Sequence, residues 1–159
     1  MNELLQLLRN NGRESIENLA AMLGRPVAEI QEQINTWEQE GVIRGYQAVI
    51  NEEATEVDYV RAAIEVRITP ERGDGYDRIA TRIGRFPEVE SVFLMSGGYD
   101  LLVFVKGENL RTVASFVNQR LATIEGVLST ATHFTLKTYK DQGVLMQEER
   151  HDERLQVSP

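Results

Sequence analysis

The spacing of apolar residues changes near residue 52, and that change restricts the fold more than any other feature of the chain. Before it, Leu4, Leu5 and Leu8, then Ile16, Leu19 and Leu23, recur at three and four residues. That is the period of helices with one buried stripe. After it, Val60, Ala62, Ile64, Val66 and Ile68 alternate with Arg61, Ala63, Glu65 and Arg67. A period of two is a strand with one face in a core. A chain of 159 residues that switches period once reads as a helical head followed by an α+β domain.

Punctuation sharpens the head. Asn10-Asn11-Gly12 is expected to end the first helix in a left-handed cap, and Ser15 to cap the second. Gly24 ends that helix, and Pro26 suits the first turn of a third, where a missing N–H costs nothing. Val27, Ile30, Ile34 and Trp37 form its buried stripe, which stops at Gly41. Three helices with a short turn before the last are a helix-turn-helix layout. Val42–Ile50 is β-rich, is interrupted by Gly45 and reads as a wing or linking strand. Residues 52–57, polar and acidic, read as a linker.

The second half reads as βαββαβ over residues 58–140, the ferredoxin-like order, with its first and third strands central. Pro70–Gly75 is a turn cluster. Tyr76, Ile79, Ala80, Ile83 and Phe86 predict the first helix. Val89–Met95 is the second strand, Ser96-Gly97-Gly98 a hairpin turn, and Leu101–Val105, apolar on both faces, a covered strand. Asn109 caps a second helix with Leu110, Val113, Ala114, Val117, Leu121 and Ile124 on its buried stripe. Val127–Tyr139 is the last strand, and 141–159 is a charged C-terminal extension.

Composition excludes several chemistries. There is no cysteine and there are two histidines, His133 and His151. Disulfides, thiol catalysis, cysteine-ligated metals and a three-histidine metal site are therefore ruled out. No nucleophilic triad spacing, P-loop or dinucleotide fingerprint occurs, so neither an enzyme nor a bound cofactor or metal is expected. No apolar run approaches the roughly 20 residues of a membrane span, and the first twelve residues lack the basic start and apolar core of a secretory signal. A cytoplasmic protein without membrane contacts is expected. The net charge is −8 and the isoelectric point about 4.9, against the usual basic surface of nucleic-acid binders.

The ordered motifs resemble the Lrp/AsnC family of transcriptional regulators. Leu19–Gly24 with Val27, Ile30, Ile34 and Trp37 looks like its helix-turn-helix. Glu40-Gly41-Val42-Ile43-Arg44-Gly45-Tyr46 looks like its helix exit and wing. Ser96-Gly97-Gly98-Tyr99-Asp100-Leu101-Leu102 looks like its ligand-loop signature, and Leu121–Val127 with Thr130–Thr132 like the run into its last strand. The resemblance implies a winged helix-turn-helix over residues 1–51, and over 58–140 a regulatory domain known as RAM. That domain dimerises by sheet packing, binds small effectors such as amino acids between subunits, and assembles into dimers and octamers.

The candidate residues follow. Gln31 and Gln33 can read adenine edges in double-stranded DNA, and Arg25 and Arg44 can neutralise phosphates. The backbone N–H groups of Gly97 and Gly98 can approach an effector carboxylate, with Asp100 facing its ammonium or fixing the loop, and with Met95, Ser96 and Thr132 beside them. Residues 1–51 carry four Arg against seven Glu, with no cation between Arg25 and Arg44. A second reading stands beside the regulator: an effector-binding assembly protein whose head no longer binds DNA.

Overall fold

The computed structural model describes residues 2–56, 59–69 and 75–147. The chain divides into two compact units, Met1–Val49 and Ile50–Pro159.

In the first unit, α1 (Glu3–Asn10), α2 (Ile16–Leu23) and α3 (Val27–Gln39) follow one another. Local chemistry sets their ends. Asn2 and Ser15 accept the backbone N–H of Leu4 and Asn18 through their side chains, satisfying donors that a helix N-terminus leaves open. Gly24 stands at φ 63°, which only a residue without a Cβ adopts at no cost, and there the chain turns into Pro26 and α3. Leu4, Leu8, Leu19, Ala20, Ile30 and Ile34 are buried together, with Trp37 and Ile43 packed against them.

Two expectations for the head are corrected. The first helix does not end in a left-handed residue. Asn11 is extended (φ −146°), and its side-chain Oδ1 accepts the N–H of Arg13 instead. Val42–Ile50 forms no strand ladder among the described residues. Ile43 donates its N–H to the carbonyl of Trp37 and joins the head core. Gly45 then interrupts a segment that has no second strand to pair with, and a lone strand has no ladder to stabilise it.

In the second unit a 3-10 turn (Glu52–Ala54) precedes β1 (Val60–Ile68), α4 (Gly75–Gly84), β2 (Val89–Leu94), β3 (Leu101–Gly107), α5 (Leu110–Phe116), a π-helical turn (Val117–Leu121) and β4 (Val127–Phe134). A short hairpin, β5 (Lys140–Asp141) and β6 (Val144–Leu145), follows. The strands are antiparallel in the order β2-β3-β1-β4, so β1 and β3 are central. Ala62, Ile64, Val66, Leu101, Val103 and Val105 project from one face into a core closed by Ile79, Ile83, Val113, Phe116, Val117, Leu121 and Ile124.

The last strand ends at Phe134, not Tyr139. β1 begins at Val60 and its first ladder partner is Ala62 opposite Phe134. Only the bond from Thr135 N–H to the Arg61 carbonyl continues the pairing. The α5 stripe also differs: Leu110 is 56% exposed and Ala114 is exposed, whereas Phe116 is buried. Val113, Phe116 and Val117 follow at i, i+3 and i+4, so the buried face of α5 runs through Phe116 and leaves Leu110 and Ala114 outside it. The expected turn at 70–74 and the extension from 148 onward, including His151, lie outside the described residues.

Candidate functional site

Two regions carry the residues singled out in the sequence, and each lies within one unit. In the head, α2, the Gly24 turn and α3 place the first two turns of α3 where a helix-turn-helix presents side chains to a major groove. Gln31 is exposed there, but its amide donates to Asn35 Oδ1 at 2.8 Å. Gln33 is half-buried, toward the head. Arg25 is tied to Glu29 through both Nε and Nη2, at 3.0 and 2.5 Å. A phosphate would have to compete with that carboxylate. Arg44 is exposed, with its guanidinium lying against Gly41: a Cβ built on Gly41 would sit 2.9 Å from Arg44 Cζ. Arg9 and Arg13, not among the candidate residues of the sequence reading, are exposed, and their side chains have no ion pair or hydrogen bond among the described residues. Tyr46 donates its hydroxyl to Glu38 Oε1 at 2.9 Å. Partial desolvation, with the Glu38 bond and charge behind it, raises its pKa above the ordinary tyrosine value.

In the sheet domain, Met95–Asp100 connects β2 to β3 at the far end of β1. Met95 N–H donates to the Asp100 carbonyl at 2.8 Å, and Asp100 N–H to the Val66 carbonyl at 3.0 Å. The Asp100 carboxylate accepts the Ile68 N–H at 2.8 Å. The β1–β3 ladder ends at Val66 opposite Leu101, so the carboxylate takes over the next donor on that side of β1. Of the two roles open to Asp100, the single chain uses this one: it fixes the loop. Gly97 stands at φ 132°, whereas Gly98 does not have positive φ. A Cβ at either would meet nothing within 4 Å, so the backbone N–H groups there are open to approach from outside.

Met95, Ser96, Gly97, Gly98 and Asp100 thus sit together at one end of the sheet. Thr132 does not join them. It pairs with Ile64 on β4, while the loop is level with Val66 and Thr130. The residues that do share this end are Gly126 to Leu128: Thr69 N–H donates to the Gly126 carbonyl at 2.8 Å. Leu94 and Leu128, 64% and 65% exposed, and Met95 give it an apolar rim.

The opposite end of β1 holds a feature the sequence reading missed. Arg61 reaches Glu52 (3.1 Å), Glu90 (3.5 Å) and Asp141 (3.6 Å), and Lys106 pairs with Glu52 at 2.7 Å. Asn51 donates its side-chain amide to the Met146 carbonyl at 3.0 Å. Asn51, Glu52, Arg61, Asp141 and Met146 border a cavity of about 240 Å³ between the 3-10 turn and the β5–β6 hairpin. Arg61 was legible as a charge on the alternate face of β1; its partners, distant in sequence, were not. Among the described residues no acidic or histidine cluster is suited to hold a metal, and no helix is long and apolar enough to cross a membrane.

A three-helix head with a capped turn before its last helix, joined to a ferredoxin-like sheet with a glycine loop at one end, defines a class of two-part, ligand-binding proteins. The chain belongs to the Lrp/AsnC family: residues 61–145 match the Lrp/AsnC ligand binding domain. It is 45% identical over 158 residues to an uncharacterized HTH-type transcriptional regulator, YugG, of Bacillus subtilis, covering 99% of this chain and 95% of that one. A transcriptional regulator from Neisseria meningitidis, solved as an L-Met complex, superposes with a TM-score of 0.69 at 25% identity, over 89% of this chain and 93% of that one. The leucine response regulatory protein of Mycobacterium tuberculosis shares the fold, with a TM-score of 0.75 at 24% identity, over 92% of this chain and 100% of that one.

Proposed function

We propose that the protein is an effector-responsive, DNA-binding transcriptional regulator of the cytoplasm, with no catalytic role. The observation that carries this reading is the joining, in one chain, of a helix-turn-helix head to a sheet domain that matches the Lrp/AsnC ligand binding domain. The curated relative is named an HTH-type transcriptional regulator over nearly its whole length. The head, residues 1–51, contacts double-stranded DNA through Gln31, Gln33, Arg25 and Arg44, with Arg9 and Arg13 adding phosphate contacts. Linker residues 52–57 lead to the effector domain, 58–140.

The effector is a small zwitterion at the Ser96–Asp100 loop. Open backbone N–H groups suit a carboxylate, and the rim of Leu94, Met95 and Leu128 suits an apolar side chain. The Neisseria regulator was solved with such a molecule. Thr132 enters this site only from a neighbouring subunit or through its own strand.

The sheet face opposite the helices carries Phe93, Leu102 and Phe104 alongside Arg61, Glu65 and His133; among the described residues the 3-10 turn and the hairpin reach its Arg61 end, and no helix covers the rest. A second copy supplies the cover in a two-fold dimer, from which octamers can form. Selection of binding sites from random duplexes, followed by titration of L-amino acids against the selected site, tests the reading. Recovery of an enriched sequence and an amino-acid-dependent change in its affinity are expected. No enrichment at low salt would overturn it in favour of an effector-binding assembly protein. The Arg25–Glu29 pair and the lack of any cation from Pro26 to Ile43 are the observations on that side.

A further inference from the structure

The two helical surfaces of this chain carry opposite charge. α3, the helix that a helix-turn-helix turns toward DNA, holds Glu29, Glu32 and Glu38 and no cation. The helix layer of the sheet domain is the reverse. Across α4, α5 and the π turn stand Arg78, Arg82, Arg111 and Arg120 against the single acid Asp77, with Arg85 just beyond α4. Arg78, Arg82 and Arg85 follow at i, i+4 and i+7, one exposed stripe roughly 10 Å long. Phe86 ties the two helices together: its ring meets Phe116 edge-on at 5.5 Å, and the Arg120 guanidinium lies 4.4 Å above it. Arg120 is spent on Glu88 at 2.5 Å. The side chains of Arg82, Arg85 and Arg111 are exposed and have no ion pair or hydrogen bond with any described residue.

We infer that the outer face of the α4–α5 layer is a second DNA-contact surface, in which Arg82, Arg85 and Arg111 neutralise backbone phosphates. The inference rests on the regulator reading and goes beyond it, since the head alone was expected to hold DNA. Duplex DNA carries a phosphate every 3.4 Å along each strand, and a guanidinium engages phosphate oxygens in pairs. Arg82 and Arg85, about 4.5 Å apart along the helix axis, therefore match neighbouring phosphates, and Arg111 adds a third contact from α5. The arginine stripe offers no base-reading amide, although a concavity beside Arg111, lined by Thr112, Ser115 and Gln119, belongs to the same surface; the phosphate contacts themselves are sequence-independent. They supply attraction that α3 withholds.

The test uses the full chain and a random-sequence duplex of roughly 60 base pairs, followed by fluorescence anisotropy from about 50 to 200 mM salt. R82Q/R85Q/R111Q is expected to weaken binding at least tenfold and to flatten the slope of log affinity against log salt by about 2 to 3, at about 0.9 per lost phosphate contact. R82K/R85K/R111K should keep most of the slope. R9Q/R13Q/R44Q, in the head, reads the other surface independently. If the head variant loses binding while R82Q/R85Q/R111Q keeps the wild-type affinity and slope, this inference fails and the regulator reading stands. If the wild-type chain binds no duplex at the lowest salt, both fail. If R82Q/R85Q/R111Q changes the assembled mass, the arginines hold subunits together and not DNA, which also overturns the inference.

Discussion

The head and the sheet domain are built to different standards. Six residues are buried in the head core, and fourteen in the core of the sheet domain. The head has no strand ladder, and its helices are 8, 8 and 13 residues long. A unit of that size buries a smaller share of its surface and is correspondingly marginal. The sheet domain adds three antiparallel ladders with β1 and β3 at the centre. Stability is concentrated in the half that senses, while the half that reads DNA is held by a few leucines and isoleucines and by capping bonds. Hydrogen exchange followed by mass spectrometry should show α1–α3 opening at lower free energy than β1 and β3. Equal protection in both halves would break the contrast.

The largest effect is expected at Ile64, fully buried and central in β1. Ile64→Ala should cost about 2–5 kcal/mol, read as a shift in the urea midpoint of the sheet domain. Ile30→Ala in the head carries a similar cost per residue against a smaller total. The head of that variant should be unfolded at 25 °C while the sheet domain keeps its cooperative transition. A single transition for both variants would mean that the two units fold as one.

Next comes Gly126, at φ 94°, where an added Cβ would stand 2.7 Å from Ile79 Cδ1. Gly126→Ala combines left-handed backbone strain with a clash in the core, at about 1–3 kcal/mol. Asp100→Ala is of similar size, about 1.5–3 kcal/mol, because it strands the Ile68 N–H past the end of the β1–β3 ladder. Asp100 therefore cannot be tested as a ligand contact by activity alone. The Asp100→Ala variant should show a lowered urea midpoint even without effector, whereas an unchanged midpoint would assign the carboxylate to the ligand.

Much of this was legible in the residues. The alternation through Val60–Ile68 gave β1 and its buried face. Ser15 and Asn109 marked helix starts where their side chains do accept backbone N–H groups. The apolar run from Leu101 marked a central strand. What escaped depends on partners distant in sequence or on the phase of a buried stripe. β4 stops at Phe134, opposite Ala62, with only the Thr135 N–H reaching on to Arg61. Phe116 enters the core at i+3 from Val113, beside Val117. The same limit applies to the site. Ser96–Asp100 is recognisable as a glycine loop, but the bond from Ile68 N–H to Asp100 joins residues 32 apart. Thr132 looks like a neighbour of the loop until the register opposite Ile64 separates them. Arg25 reads as a free cation until Glu29, one turn on, claims it.

The smallest expected effect lies at the exit of the head, where Tyr46 packs beside Gly12 and donates to Glu38. Its pKa is raised, first by desolvation and then by the Glu38 bond and charge. The raised value means that the folded head favours the neutral phenol. Whatever stability this confers is fully present below the unfolded tyrosine pKa of about 10, and it is lost as pH rises through the higher folded value. The side chain is largely exposed, so the contribution is small. In a spectrophotometric titration at 295 nm, with the other tyrosines as internal comparison, Tyr46→Phe should remove the late-titrating component. Glu38→Gln should move that component down toward the ordinary value without abolishing the shift, since desolvation is the larger cause. A Glu38→Gln variant whose Tyr46 titrates fully at the ordinary value would make the carboxylate the dominant cause. Val42–Ile50 would then be held on the head by one polar contact, and not by packing against Gly12 and the Ile43 anchor.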